Sequence, residues 1–231
     1  LLMAAHRGVK VRILVDDLGT SGKDEQWQKL ASHPNIELRL FNPNRLRTSF
    51  RNLALLFNVN SIGKRMHNKS LIADGSVAII GGRNIGDDYF PSSAKTLFLD
   101  YDILAIGEVV PEIYKAFDLY WNSKESELSE DILDYKDKKF SLNNTNDIQK
   151  ALSDYAKTPS GKAILNSEFN QKIANDNLKL TVAKRADFYY DHPSKVSTDE
   201  NDNRTHISSQ ISKDLSGVKK DLIIISPYFV P

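Results

Sequence analysis

Cysteine is absent from this 231-residue chain. The chain therefore has no disulfides, no thiolate metal sites and no cysteine nucleophile. It also contains no apolar run near the roughly 20 residues that a membrane span needs, so we expect any membrane contact to be peripheral. Charges of the two signs nearly cancel as well. The formal net charge of +1 gives no overall electrostatic argument for binding nucleic acid. What is present, 40% hydrophobic and 26% charged residues, is typical of an ordinary globular domain.

Two short apolar runs flank Asp74 and Gly75, and this pattern predicts a β-hairpin. An Asp-Gly pair between such runs is the strongest short-range hairpin signal, because both central residues of the tight turn need a positive φ. Side chains alternate between faces along the first strand, so His67 and Lys69 should point the same way. The second strand, residues 77–80, is apolar throughout, which predicts burial on both of its faces.

The residues after the second strand complete a candidate anion site. Gly81 and Gly82 would let the backbone approach a ligand closely, and Arg83 and Asn84 follow them. An imidazole, an ammonium and a carboxamide would then converge on one small volume. That set of groups suits an anion that is attacked, such as a phosphate ester.

This spacing resembles the HKD signature of the phospholipase D superfamily, His-x-Lys-x4-Asp followed after six residues by Gly-Gly-x-Asn. The matching positions are His67, Lys69, Asp74, Gly81, Gly82 and Asn84. A hairpin with a solvated histidine and lysine would explain a bare His-x-Lys, but not all six positions. Residues 5–17, 33–37, 65–89 and 225–231 are also similar to bacterial cardiolipin synthases of the C type.

The resemblance implies an α/β fold of the phospholipase D type, with a mixed, mostly parallel sheet flanked by helices. We expect a first half at residues 1–122 that lacks its N-terminal elements, a helical connector at 123–185, and the start of a second half at 186–231. Family members carry two HKD motifs that meet at one active site, whereas this chain has one. We therefore expect the chain to be an excerpt whose second motif lies beyond Pro231, and the fragment alone to be inactive.

The implied activity is a phosphatidyl transfer that makes cardiolipin through a phosphohistidine intermediate. His67 would attack phosphorus, or protonate the leaving alcohol while its counterpart attacks. Lys69, Gly82 and Asn84 would hold the phosphate oxygens, and Asp74, the third catalytic position of the motif, would orient the hairpin from its turn. The alternatives are a phosphodiesterase of the same superfamily that uses water, either a lipase or a nuclease, and a non-catalytic scaffold with a degenerate motif.

Three further groups of residues lie around the motif. Asp100 and Asp102 share one face of a predicted strand, and either could hydrogen-bond the far nitrogen of His67, with a solvated acidic edge as the alternative. Asp16 and Asp17 end another predicted strand and are interpreted as a surface pair. A basic segment before the hairpin is either a solvated loop or a wall for lipid headgroups. The members of this candidate wall are Arg45, Arg47, Arg51, Lys64 and Arg65.

The resemblance implies phospholipid substrates at a membrane surface and a peripheral location on the inner (cytoplasmic) membrane of a bacterium. It implies no cofactor and no nucleic acid. It also implies no metal, because the fixed cations of the motif would replace one. Periodicity predicts the remaining elements: strands at 9–15, 36–40, 97–106 and 187–191, and helices at 24–32, 110–121, 148–156, 164–178 and within 192–217.

Overall fold

The structure is a computed structural model that describes residues 1–20, 22–44, 65–85, 100–133, 145–199 and 202–223. Within these ranges the strands, numbered in chain order, are β1 (Val11–Asp16), β2 (Ile36–Phe41), β3 (Ser70–Ala73), β4 (Val77–Gly81), β5 (Asp102–Ile106) and β6 (Ser126–Leu128). The α-helices are α1 (Leu2–His6), α2 (Asp24–Ala31), α3 (Val110–Trp121), α4 (Ser129–Ile132), α5 (Thr145–Lys157), α6 (Pro159–Leu165), α7 (Glu168–Ala174) and α8 (Ile207–Leu215). Short 3₁₀ turns occur at Asp17–Thr20, Pro193–Val196 and Asn203–Thr205.

The first sheet has the strand order β1-β2-β6. β1 and β2 are parallel, in a register that pairs Val11 with Ile36, and α2 connects them. β6 is antiparallel to β2. Ile36, Leu38 and Leu40 of β2 are all buried, because alternate side chains of a strand face the same layer. The predicted strand–helix–strand unit is therefore confirmed.

The second sheet is antiparallel, with the order β3-β4-β5, and contains the predicted hairpin. Asp74 and Gly75 have φ values of 52° and 62°, and the Ser76 amide donates to the Ala73 carbonyl oxygen at 3.0 Å. These angles are the ones that an Asp-Gly turn supplies at low cost, so the hairpin prediction is confirmed.

Two details of the predicted sheet are wrong for the part of the chain that the structure describes. Only the β1–β2 pairing is parallel there, and the β2–β6, β3–β4 and β4–β5 pairings are antiparallel, so the sheets are not mostly parallel. β4 is not buried on both faces either, because Ala78 is 0% exposed and Ile79 is 40% exposed. An antiparallel sheet can pack one face on the core and leave the other open.

The buried face of the second sheet packs against α3. Ala78 of β4 forms a cluster with Val110 and Ile113 of α3, and Phe188 from much later in the chain packs against the same cluster. A proline in the first turn of α3 is favourable, since that position needs no hydrogen-bonded amide. The amphipathic helix predicted at 110–121 is confirmed, and it carries the second sheet.

Helices α5, α6 and α7 lie within residues 123–185, but they differ in detail from the predicted helices. One helix predicted at 164–178 is instead the pair α6 and α7, and Thr158 begins α6 by accepting a hydrogen bond from the Gly161 amide at 3.0 Å. Residues 187–191 do not form a strand, and α8 confirms the helix predicted within 192–217. Among the described residues, no helix combines the length and the apolar character needed to cross a membrane.

Candidate active site

The segment that leads into β3 carries the two cationic side chains of the motif. His67 is exposed, and Lys69 is half-buried. The Lys69 Nζ atom donates to the His67 carbonyl oxygen at 2.7 Å. Burial lowers the pKa of Lys69, while the carboxylate of Asp100 acts in the opposite direction. The structure thus brings His67 and Lys69 together, but both precede β3, so the strand that was predicted to carry them begins later than expected.

The imidazole of His67 has a backbone partner. Its Nδ1 atom lies 3.2 Å from the carbonyl oxygen of Arg65. A carbonyl oxygen only accepts hydrogen bonds, so this contact requires the proton on Nδ1 and leaves the lone pair of Nε2 free. An imidazole in that tautomer has the nucleophilic nitrogen that attack on phosphorus needs.

The two candidate orienting acids have other partners. Asp102 accepts from the Arg83 Nε atom at 2.6 Å, and Asp100 accepts from the Tyr101 amide at 2.9 Å. In the described part of the chain, no hydrogen bond joins either carboxylate to His67. Asp100 acts on the site through its charge, which opposes the lowering of the Lys69 pKa by burial. Arg83, which could have faced the site, is held at β5.

Gly81 and Gly82 lie against β5. A Cβ atom on Gly81 would overlap the Asp102 carboxylate and the carbonyl oxygen of Tyr101, and one on Gly82 would overlap the Asp100 carboxylate. The glycines therefore make room for Asp100, Tyr101 and Asp102. The sequence predicted a different role, in which the glycines let a ligand approach the backbone closely. The prediction that Gly82 contacts phosphate stays a prediction.

Asn84 and Asp74 both follow Lys69 in the chain and lie at opposite ends of the hairpin. Asn84 is exposed just after β4. Asp74 is exposed in the hairpin turn, at the far end of β3 from Lys69, and a rise of about 3.3 Å per residue separates the two by about 16 Å. Asp74 therefore shapes the hairpin at a distance from the two cations. Of the candidate headgroup wall, Arg45, Arg47, Arg51 and Lys64 lie outside the described residues.

The sequence pattern did not reveal the role of the two aspartates where β1 ends. Asp17 is 1% exposed, and it accepts hydrogen bonds from the Thr20 hydroxyl at 2.6 Å and the Asn44 amide at 2.7 Å. Asp16 is paired with Arg65, at 3.0 Å from its NH2 atom. The interpretation of Asp16 and Asp17 as a surface pair is therefore wrong. Only the position at the carboxyl end of a parallel strand hinted at this role.

A cavity of about 410 Å³ lies beside His67 and Lys69. The hairpin, α3 and residues 188–191 form its walls, which are mainly aliphatic and aromatic. The aliphatic and aromatic residues that line it include Leu14, Ile80, Phe117, Tyr120, Phe188 and Tyr190. A volume of this size with apolar walls and a few polar groups is typical of a small-molecule site.

Tyr120 ties the walls of the cavity together. Its hydroxyl donates to the carbonyl oxygen of Asp191 at 2.6 Å. Burial raises the pKa of Tyr120 well above its ordinary value, the charge of Asp191 adds to this, and a hydrogen bond with the Asn68 side chain opposes it. Asn68 lies between His67 and Lys69 in the sequence. Tyr120 of α3 therefore links the motif to the backbone of Asp191.

Comparisons with known proteins identify relatives of this chain. A family model described as "Cardiolipin synthase, PLD-like domain" matches residues 1–121. Cardiolipin synthase C of Escherichia coli K12 is 46% identical over 134 residues, which are 58% of this chain and 28% of that protein. An uncharacterized protein of Helicobacter pylori J99 is 36% identical over 239 aligned positions, covering 100% of this chain and 45% of that protein.

More distant similarity extends to other bacteria. A cardiolipin synthase of Oceanobacillus iheyensis is 29% identical over 123 residues, which are 53% of this chain and 24% of that protein. The chain spans less than half the length of each of these relatives. No solved structure matches the chain at a significant level.

Proposed function

The chain belongs to the phospholipase D-like family of the cardiolipin synthases, and on this premise we propose that the full-length protein is a phosphatidyltransferase that makes cardiolipin. The observation that carries the proposal is that His67 and Lys69 contact each other and line a mainly apolar cavity, within the segment that matches the family. A lipid phosphodiester has the same two parts, a phosphate and an apolar body.

The reaction proceeds in two displacements at phosphorus. The Nε2 atom of His67 attacks the phosphate of a donor phospholipid, forms a P–N bond and expels the headgroup alcohol, which takes up a proton. The hydroxyl of an acceptor lipid such as phosphatidylglycerol then attacks the phosphohistidine, loses its proton and releases His67. The products are cardiolipin and the free headgroup alcohol.

Lys69 and Asn84 stabilise the charge that develops on the nonbridging oxygens. The ammonium of Lys69 donates to the carbonyl oxygen of His67, which keeps it beside the imidazole-bearing residue. Asp74 supports the hairpin turn. The proton that the leaving alcohol takes up comes from the counterpart of His67 in a second phospholipase D-like half, and the two histidines exchange roles if that counterpart is the nucleophile.

We place the site at the junction of two halves. Residues 1–122 form the first half, 123–185 a helical connector, and 186–231 the beginning of the second. The greater length of the relatives supports this organisation. Contacts from Phe188 and Asp191 to the first half support it as well. The protein would act from one side of a bacterial inner membrane, where its substrates lie.

A phosphodiesterase that uses water is the second candidate, because His67 is exposed. Water that reaches a phosphohistidine would yield phosphatidic acid, or a cleaved nucleic acid if the substrate were DNA. The apolar walls of the cavity favour a lipid over a nucleic acid.

The test is production of cardiolipin by the full-length protein in cells that lack cardiolipin synthases. We expect cardiolipin from the parent protein and from His206→Ala, a histidine outside the cavity, but none from His67→Ala. Absence of cardiolipin with the parent protein contradicts the proposal. Cleavage of single-stranded DNA by the purified protein, lost in His67→Ala, would favour the nuclease.

A further inference from the structure

Asp16 occupies a fixed point next to the segment that carries His67. It is the last residue of β1, and β1 is held along its whole length by the parallel pairing with β2. A side chain on a paired strand keeps its position better than one on a loop. Only 13% of the Asp16 side chain is exposed, so solvent screens its interactions weakly.

Both carboxylate oxygens of Asp16 hold the segment just before His67. Its Oδ1 atom accepts from Arg65, at 3.2 Å from Nε and 3.0 Å from NH2. Its Oδ2 atom accepts from the Met66 amide at 2.9 Å. One carboxylate thus holds the side chain of Arg65 and the backbone of Met66.

A short chain of contacts continues from this clamp into the catalytic groups. The carbonyl oxygen of Arg65 accepts from the Nδ1 atom of His67 at 3.2 Å, and the carbonyl oxygen of His67 accepts from Lys69 Nζ at 2.7 Å. The orientation of the Arg65–Met66 backbone therefore sets the position and tautomer of the imidazole. A misplacement of about 1 Å at such a group can cost about 10²-fold in rate.

The neighbouring acid holds the other side of the same region. Asp17 is buried and accepts from the backbone amide of Asn44. The pair of acids at the end of β1 therefore anchors the chain on both sides of residues 45–64.

We propose that Asp16 is a positioning residue for the phosphoryl-transfer site, holding Arg65 and Met66 so that His67 presents Nε2 to phosphorus. This role rests on the proposed function. Asp16 acts through its neighbours and does not touch the substrate.

The charge of Asp16 also reaches Lys69. The charged groups that act on the Lys69 ammonium are Asp100, Arg65 and Asp16, and the two acids favour its protonated form. Removal of the Asp16 charge lowers the pKa of Lys69 further. Activity that needs the ammonium would then be lost at a lower pH.

The test compares Asp16→Asn, Asp16→Ala and Asp16→Glu in the full-length protein with Glu37→Gln. Glu37 is a matched control, because it pairs with Arg39 at 3.2 Å on the neighbouring strand. We expect Asp16→Asn to lower kcat about 10- to 100-fold with KM nearly unchanged, and to move the alkaline limb of the pH profile to lower pH. Asp16→Glu should restore part of kcat, and Glu37→Gln should match the parent protein.

Hydrogen–deuterium exchange tests the clamp without any catalytic assay. Asp16→Ala should speed exchange in the peptide that contains Met66, while Glu37→Gln should not. Unchanged exchange in Asp16→Ala overturns the inference even if the protein makes cardiolipin. A kcat and pH profile in Asp16→Asn that match the parent protein also overturn it. So does a loss of kcat that Asp16→Glu fails to restore and that is accompanied by a lower unfolding midpoint of the variant. A parent protein that makes no cardiolipin contradicts the proposed function, and exchange then decides the clamp alone.

Discussion

Lys69 combines a positive charge with partial burial, and this combination makes its charge dependent on pH. Burial lowers its pKa below the ordinary value of 10.5, and Asp100 offsets part of the effect. A lysine is charged below its pKa, so the ammonium is lost as the pH rises through the lowered value. The transition-state stabilisation that we propose for Lys69 should therefore disappear at a less alkaline pH than it would for a fully solvated lysine.

We expect the rate of the full-length protein to fall on the alkaline side through the pKa of Lys69. Lys69→Arg should remove this limb, because a guanidinium stays charged, and Lys69→Gln should cost about 10²–10³-fold in kcat. Lys124→Gln is the control, since Lys124 is exposed on the surface. A rate profile with the same alkaline limb in Lys69→Arg would assign that limb to another group.

At the scale of single residues, the sequence reveals the groups that belong to a local pattern. His67 and Lys69 are two residues apart and can be recognised from spacing alone. Asp16 is 49 residues from Arg65, and nothing near Asp16 in the sequence indicates that partner. The partners of Asp100 and Asp102 are equally hidden, because a strand pattern shows which carboxylates share a face but not which cation lies opposite them.

The antiparallel sheet of β3, β4 and β5 depends on two glycines where β4 ends. At Gly82 an added methyl group would overlap the carboxylate of Asp100, and at Gly81 it would meet β5 directly. The close approach of the two strands is therefore built into the sequence of the motif. It also fixes Asp100 within electrostatic reach of Lys69.

Gly81→Ala should destabilise the protein by about 1–3 kcal/mol, because the extra methyl group would overlap the backbone of Tyr101 and Asp102 and force β5 outward. Urea unfolding of the full-length protein measures this change. Gly217→Ala is the control, since its Cβ atom would lie 3.4 Å from the nearest oxygen, an ordinary contact. Equal unfolding midpoints in the two variants would show that β5 moves aside at no cost.

At the scale of elements, a tight turn is easier to predict than the partners of its strands. Asp74 and Gly75 predict the hairpin because few residue pairs adopt two successive positive φ angles. The apolar run at 77–80 misleads, because a strand buried on both faces and a strand with one exposed apolar face have the same composition. Which case applies depends on α3, which covers one face only.

At the scale of the whole molecule, residues 188–191 pack against elements that lie far earlier in the chain. Phe188 packs against the cluster of Ala78, Val110 and Ile113, and Tyr120 bonds to the backbone of Asp191. The aromatic run there predicts a strand, yet its carbonyl groups accept from side chains. Tyr190 accepts from Gln210 Nε2 at 2.9 Å, so no strand partner is required. Sequence pattern alone does not show such side-chain partners.

Phe188→Ala should cost about 2 kcal/mol of stability, less than for a fully buried phenylalanine because Phe188 is half-buried. It also removes a wall of the cavity, so KM for a long-chain phospholipid should rise while a short-chain analogue is affected less. Phe169→Ala is the control, because Phe169 is 47% exposed on α7. Parent-like KM and stability in Phe188→Ala would separate residues 188–191 from the site.

The role proposed for His67 is to act at a site that transfers phosphatidyl groups. Its decisive test follows the products that the purified full-length protein makes from vesicles of phosphatidylglycerol. We expect cardiolipin and glycerol in equal amounts, little phosphatidic acid, and loss of both products in His67→Ala. Phosphatidic acid as the main product, or cardiolipin made equally well by His67→Ala, would contradict this role.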